Sequence, residues 1–228
     1  MQAKAFEFRP SPCNCPTPGS GGLKGLGSME LANSRTAADV LLGELAELGV
    51  DYLFANAGTD FPPIIEAYAR REARGEPCPK PVTVPHENVA VSLAIGAYLT
   101  SGRPQAVMVH VNVGTANALC ALMNAFRGNI PLILLAGRTP YTESGRVDGA
   151  RSGENHWAQE MFDQGGLVRE NAKWEFEVPH ADVIRTAVAR AHQIALSEPK
   201  GPVYLTLPRE VLAAPAPPAP ARRALHQA

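Results

Sequence analysis

From Ser34 to Val211 the chain alternates short runs rich in β-branched and large apolar residues with longer runs of helical periodicity, and this rhythm narrows the possible folds more than any other feature. Strands alternating with helices of similar spacing predict an α/β fold: a doubly wound, mostly parallel sheet with helices on both faces. Ser34 or Thr36 can cap a first helix reaching Leu48, with Ala38, Leu41, Leu42, Leu45 and Leu48 as its apolar stripe and Gly49 as its stop. The spacing then predicts a strand over Asp51 to Ala55, a turn at Ala57-Gly58-Thr59, and a helix over Phe61 to Arg74 with Pro62 and Pro63 in its first turn. Further strands are expected at Val82 to Pro85, Ala106 to His110, Pro131 to Gly137, Leu167 to Glu170 and Val203 to Leu207. Helices are expected over Glu87 to Thr100, Thr115 to Phe126 and Ala181 to Ser197, with a turn at Asn112-Val113-Gly114-Thr115 and a polar loop from Arg138 to Asn155.

The folded segment, residues 34–211, is long enough to bury a real core in one domain. Residues 1–33 carry four prolines between Pro10 and Pro18 and a glycine cluster, a composition that cannot bury enough apolar surface to offset its ordering entropy, so a disordered extension is expected there. Residues 212–228 read as a Pro/Ala-rich tail or linker. A formal net charge of -1 and the lack of a long basic run leave no electrostatic footprint for nucleic acid or an acidic membrane. No apolar run approaches the ~20 residues of a membrane span, and charge and proline stand where a signal peptide would have its apolar stretch, so the chain reads as cytoplasmic. Cys13-Asn14-Cys15 lacks the paired spacing of a zinc site, Cys78 sits in a loop, and Cys120 is expected on the buried side of its helix. No metal ligand set is predicted.

In parallel sheets ligands bind beyond the carboxyl ends of the strands. Glu87 and His110 both fall where successive predicted strands end, which makes them candidates for proton chemistry. His86 is placed to cap the helix that Glu87 opens, and Asn117, Asn124 and Arg127 lie near helical spacing on a face that either lines an interface or is solvated. No Gly-x-Gly-x-x-Gly follows the first strand, which disfavours a flavodoxin-like nucleotide binder.

Six stretches, taken in order, resemble the N-terminal domain of thiamine diphosphate enzymes, the group of acetolactate synthase, pyruvate oxidase and benzoylformate decarboxylase. They are Gly49-Val50-Asp51-Tyr52-Leu53-Phe54, Ala57-Gly58, His86-Glu87-Asn88, Gly114-Thr115-Ala116-Asn117, Ile130-Pro131-Leu132 through Ala136-Gly137, and Gly201-Pro202-Val203-Tyr204-Leu205 with Leu207-Pro208-Arg209-Glu210-Val211. In that family this is the pyrimidine-binding domain. The resemblance implies that Glu87 shares a proton with N1' of the cofactor's aminopyrimidine, favouring the imino form whose nitrogen takes the C2 proton. It also sets Gly58, Thr59, Gly114 and Asn117 beside the cofactor. The segment His110-Val111-Asn112-Val113-Gly114-Thr115 is similar to the benzoylformate decarboxylase pattern, in which a histidine four residues before Gly-Thr is an active-site acid or base, and Thr59 supplies the hydroxyl that this subgroup has after the first-strand glycine. Gln159 resembles the family's glutamine that faces a partner subunit.

The resemblance further implies thiamine diphosphate as cofactor, with magnesium and diphosphate held by a Gly-Asp-Gly domain that this chain lacks; FAD is not supported. The expected assembly is a homodimer, or a hetero-oligomer with a chain carrying the diphosphate-binding domain, acting on a small 2-oxo acid as a decarboxylase or carboligase and inactive alone. Two other functions fit the residues: an acetolactate synthase-like transferase component in which His110 is structural, and a non-catalytic dimerisation or regulatory fragment.

Overall fold

The computed structural model describes residues 35–143 and 145–216. The extension at 1–33, most of the Pro/Ala-rich tail and the alternative cap Ser34 lie outside the described residues. Helix α1 (Ala37–Glu47) starts at Thr36, whose hydroxyl accepts from Asp39 N while the Asp39 carboxylate accepts from Thr36 N at 2.9 Å, a reciprocal capping box. Asp39 is fully buried, and its carboxylate takes Arg70 of the second helix at 2.8 Å. Burial alone raises the Asp39 pKa, but the hydrogen bonds from Arg70 and Thr36 outweigh it and hold the carboxyl below the usual range.

Strands β1 (Tyr52–Ala55), β2 (Lys80–Thr83), β3 (Gln105–Val109), β4 (Leu132–Arg138), β5 (Trp174–Glu177) and β6 (Val203–Pro208) form one sheet in the order β2-β1-β3-β4-β6-β5, and every pairing is parallel. Between them run α2 (Pro62–Ala73), α3 (Glu87–Ser101), α4 (Val111–Arg127), the short α5 (Asn155–Ala158) and α6 (Ile184–Leu196), with α7 (Arg209–Ala213) last. The two-residue alternation of side chains divides the core. Ala106, Met108, Ile133, Leu135, Val203, Leu205 and Leu207 pack with apolar residues of α1, α2 and α6, whereas Val107, Val109, Leu132, Leu134, Ala136 and Tyr204 pack with those of α3 and α4. Helices therefore cover both faces, as the alternation predicts, and the central strands read as unbroken apolar runs because neither face meets water.

Four expectations are corrected. The fifth strand is Trp174–Glu177, not Leu167 to Glu170. The earlier stretch is two 3-10 turns, Gly165–Leu167 and Arg169–Asn171, held locally by Asp163, which accepts from Gly166 N and pairs with Arg169. The second strand sits two residues earlier than expected, since Lys80 N donates to Asp51 O at 2.7 Å and Pro81 is tolerated on a sheet edge. Cys120 is exposed on the outer side of α4 instead of buried. Chain packing also outlasts Val211: Ala37 N donates to Ala214 O, Ala216 N donates to Arg35 O, and Thr36 bridges antiparallel to Pro215. Among the described residues no helix is long and apolar enough to cross a membrane.

Candidate functional site

All six strands point the same way, so their carboxyl ends share one edge of the sheet. The order reverses at β1, where the chain passes to β2 on one side and then to β3 on the other, and the connections after β1 and β3 diverge to leave a crevice. Residues Gly58 to Asp60 follow β1, Glu87 follows β2 and His110 follows β3, so each strand end delivers one piece of the site.

Glu87 is the first residue of α3, and His86 caps that helix through its Nδ1, which accepts from Asn88 N at 3.1 Å. The helix N-terminus favours the carboxylate charge. Glu87 is 6 % exposed and reaches across to α4, where Asn117 Nδ2 donates to its Oε2 at 3.1 Å. The expected Asn112 to Thr115 turn is instead the first turn of α4, closed by Gly114 N donating to His110 O at 2.7 Å. Gly114 still matters for close approach, because a Cβ there would stand 3.0 Å from Val109 Cβ and 3.3 Å from Glu87 Oε1.

His110 is held between two side chains. Its Nδ1 lies 2.6 Å from Asp60 Oδ1 and its Nε2 lies 2.9 Å from Gln159 Nε2. The imidazole rests on bare backbone at Gly58, where a Cβ would come within 2.1 Å of Nδ1. The Asp60 carboxylate fills the matching space at Gly137, where a Cβ would meet Oδ2 at 1.7 Å. Asp60 is 2 % exposed, and Val111 N points to its Oδ2 at 3.4 Å. Val111 has φ of 36°, a left-handed conformation that a β-branched residue adopts only when its surroundings impose it. Thr59 is exposed, and its carbonyl is held by Arg209, so Thr59 belongs to the rim.

Behind this rim a buried chain of hydrogen bonds ties β4 and β6 to α4 and to the segment at Gln164. Thr115 Oγ1 and Tyr204 OH are 2.9 Å apart, Gln164 Nε2 donates to Tyr204 OH at 2.9 Å, and it also donates to Gly137 O at 2.8 Å. Burial pushes the Tyr204 phenol above its ordinary pKa, so it remains protonated and donates or accepts as the chain requires.

The polar loop after β4 folds back over the site. Arg209, 8 % exposed, donates through Nε to Gly149 O at 2.7 Å, through Nη1 to Thr59 O at 2.9 Å, and through Nη2 to Ala150 O. Glu210 Oε1 accepts from both Thr142 N and Thr142 Oγ1. The Arg151 guanidinium stacks 3.9 Å above the Trp157 ring, and Thr139 Oγ1 donates to Gln159 O at 3.0 Å, which fixes the residue that meets His110.

His156, 3 % exposed within this loop, is kept below the ordinary histidine range first by burial and then by the positive charges of Arg209 and Arg151; His192 is lowered by burial alone. Both favour the neutral form when folded, so below about pH 6.5 the unfolded chain binds protons that the folded chain refuses. Their contribution to stability is complete above that pH and declines as pH falls toward the lower folded values. The expected result is a lower denaturant midpoint at pH 5.5 than at pH 7.5, with the difference reduced in a His156→Gln, His192→Gln double variant.

The sequence reading passed over Asp60, which contacts His110, and Arg209, which holds the loop after β4. Asp60 lies beside Thr59 but its partners are fifty residues or more away, and Arg209 was read only as part of a closing motif. Among the described residues no group of three His, Cys, Asp or Glu side chains could hold a metal ion.

Residues 35–167 match the family model described as thiamine pyrophosphate enzyme, N-terminal TPP binding domain. Benzoylformate decarboxylase of Pseudomonas aeruginosa is 35 % identical over 132 residues, which are 58 % of this chain and 23 % of that protein. The mitochondrial acetolactate synthase catalytic subunit of Saccharomyces cerevisiae is 26 % identical over 179 residues, covering 78 % of this chain and 24 % of that one. Among solved structures, the thiamine diphosphate-dependent 4-hydroxybenzoylformate decarboxylase of Rhodococcus jostii RHA1 is similar with a TM-score of 0.66 at 26 % identity, over 81 % of this chain and 32 % of that chain. The chain thus spans about a quarter of the length of these two curated relatives.

Proposed function

This chain belongs to the thiamine pyrophosphate enzyme family through its N-terminal TPP binding domain, and from that premise we propose that it supplies the cofactor-activating half of a 2-oxo acid decarboxylase or carboligase. The observation that carries the reading is Glu87, a nearly buried carboxylate oriented by Asn117 and brought against Gly114 at the crevice. These residues fit the pyrimidine end of thiamine diphosphate: one fixed carboxylate, an amide behind it, and small residues where a flat ring must lie close.

Glu87, Gly114 and Asn117 would hold that ring, with Gly58 and Thr59 at the rim. When bound, thiamine diphosphate supplies a nucleophilic carbon at C2 suited to attack on a 2-oxo acid. Glu87 holds a proton at N1' of the pyrimidine, and Asn117 keeps the carboxylate turned toward it. His110 moves a proton at the substrate end, where imidazole can both take and return one. A diphosphate and its magnesium need oxygen ligands and a phosphate-binding helix terminus, which we assign to a chain carrying the diphosphate-binding domain.

Calorimetric titration with thiamine diphosphate and magnesium tests this reading. The expected result is tight binding only after a chain carrying the diphosphate-binding domain is added. Absence of binding with that chain present would refute it and leave an interaction domain without cofactor chemistry.

A further inference from the structure

We infer that Asp60 is the positioning residue of His110, locking the imidazole as the Nδ1–H tautomer so that a bare Nε2 faces the crevice. Asp60 fixes where the proton sits, and Gln159 complements the tautomer that results. A carboxylate only accepts, so the proton in the 2.6 Å contact between Asp60 Oδ1 and His110 Nδ1 belongs to the imidazole. A neutral ring protonated at Nδ1 leaves Nε2 bare, and with the amide oriented as it stands that Nε2 accepts from Gln159 Nε2 at 2.9 Å. Only one neutral tautomer satisfies both neighbours.

The surroundings are cut to fit this pair. Gly58 leaves room for the ring and Gly137 for the carboxylate, and substitution at either would drive a methyl group into His110 or Asp60. Val111 takes a left-handed backbone conformation with its N–H directed at Asp60 Oδ2, so the second carboxylate oxygen also has a donor. Backbone strain at this point is consistent with a pair whose geometry is imposed by the fold. Asp60 contacts the ring, and His156 interacts electrostatically with both His110 and Asp60 and also with Arg209 and Arg151.

A consequence follows that rests on the reading of His110 as proton shuttle. A bare Nε2 accepts before it gives, so His110 takes a proton before it can return one, and the contact from Gln159 is displaced when it does. Asp60 never touches the substrate; it acts through His110.

Long-range proton–nitrogen NMR of the nitrogen-15-labelled chain, without cofactor or partner, reads the tautomer directly. His110 signals are assigned by their loss in His110→Gln. The expected pattern is a protonated Nδ1 and a bare Nε2 in the native protein. In Asp60→Asn the side-chain oxygen keeps the Val111 N–H and the amide nitrogen meets Nδ1, so conversion to the Nε2–H tautomer is expected; Asp60→Ala should move the same way. A protonated Nε2 in the native chain, or an unchanged pattern in folded Asp60→Asn and Asp60→Ala, would overturn the assignment. If both variants fail to fold, the native spectrum still decides the tautomer. In the reconstituted complex Asp60→Asn should lower turnover on the order of 10²-fold while C2 proton exchange continues. Because the NMR experiment contains no cofactor, its outcome is separable from that of the functional reading.

Discussion

Glu87→Gln is expected to slow exchange of the C2 proton of bound thiamine diphosphate by on the order of 10²- to 10⁴-fold, the usual range for removing a positioned general acid or base. The measurement is deuterium exchange at C2, followed by acid quench and proton NMR, in the complex reconstituted with a diphosphate-domain chain. Glutamine keeps the volume of the side chain, and its oxygen still accepts from Asn117 Nδ2, so the contact seen at 3.1 Å need not be lost. What disappears is the capacity to exchange a proton with N1'. Stability of the chain should change little, since a buried charge is replaced by a neutral group that keeps its hydrogen bond. Exchange at the native rate would sink the role assigned to Glu87 and leave only its helix N-terminal effect, roughly 0.3 to 1 kcal/mol. Asn117→Ala offers a graded comparison: the carboxylate remains but loses its donor, so exchange should slow by less than in Glu87→Gln.

Arg209→Leu is expected to destabilise the domain by about 3 to 5 kcal/mol, the range for removing one side of a buried, charge-assisted network. Leucine fills much of the space but leaves the carbonyls of Thr59, Gly149 and Ala150 without their shared donor. For a domain of this size the change corresponds to a melting temperature lower by roughly 10 °C. The loss should also be local. Limited proteolysis between residues 139 and 164 should accelerate, because Arg209 ties that loop to the β1 end. Arg209→Lys should recover only part of the stability, since one ammonium group cannot span three carbonyls in the guanidinium geometry. An unchanged melting temperature and cleavage pattern in Arg209→Leu would mean that the loop is held by its other contacts alone.

The parallel sheet was legible because its evidence is local and periodic. Val107 and Val109 face one layer while Ala106 and Met108 face the other, and α1 carries its stripe at helical spacing. The positions of Glu87, His86 and His110 were legible for a related reason: each sits at an element boundary, and boundaries are marked by capping residues and by changes of period. Asp60 was not, because its meaning comes from sheet order. It meets His110 only because β1 and β3 are neighbours, and no residue near Asp60 encodes that adjacency. Gly114 was misread as a turn because glycine commonly punctuates; here it stands inside a helix, where a Cβ would come within 3.0 Å of Val109 Cβ and 3.3 Å of Glu87 Oε1. The strand misplaced at Leu167 to Glu170 shows the opposite error. A short apolar run outweighed the polar contacts of Asp163 and Arg169 that hold it in turns, while the true strand, Trp174-Glu175-Phe176-Glu177, alternates with period two. Cys120 was placed inward on residue type, although Ala118, Ala121, Leu122 and Ala125 already fill the buried face of α4.

The antiparallel pairing that joins Arg35 and Thr36 to Pro215 and Ala216 places the beginning and end of the described domain side by side. A chain whose ends meet can be closed into a ring by a short connector and reopened at an exposed loop, because no strand would have to leave its place in the sheet. The order in which the polypeptide visits its elements is therefore separable from the three-dimensional arrangement that brings Glu87 and His110 to one edge, and circular permutants opened between α2 and β2 would retain that arrangement.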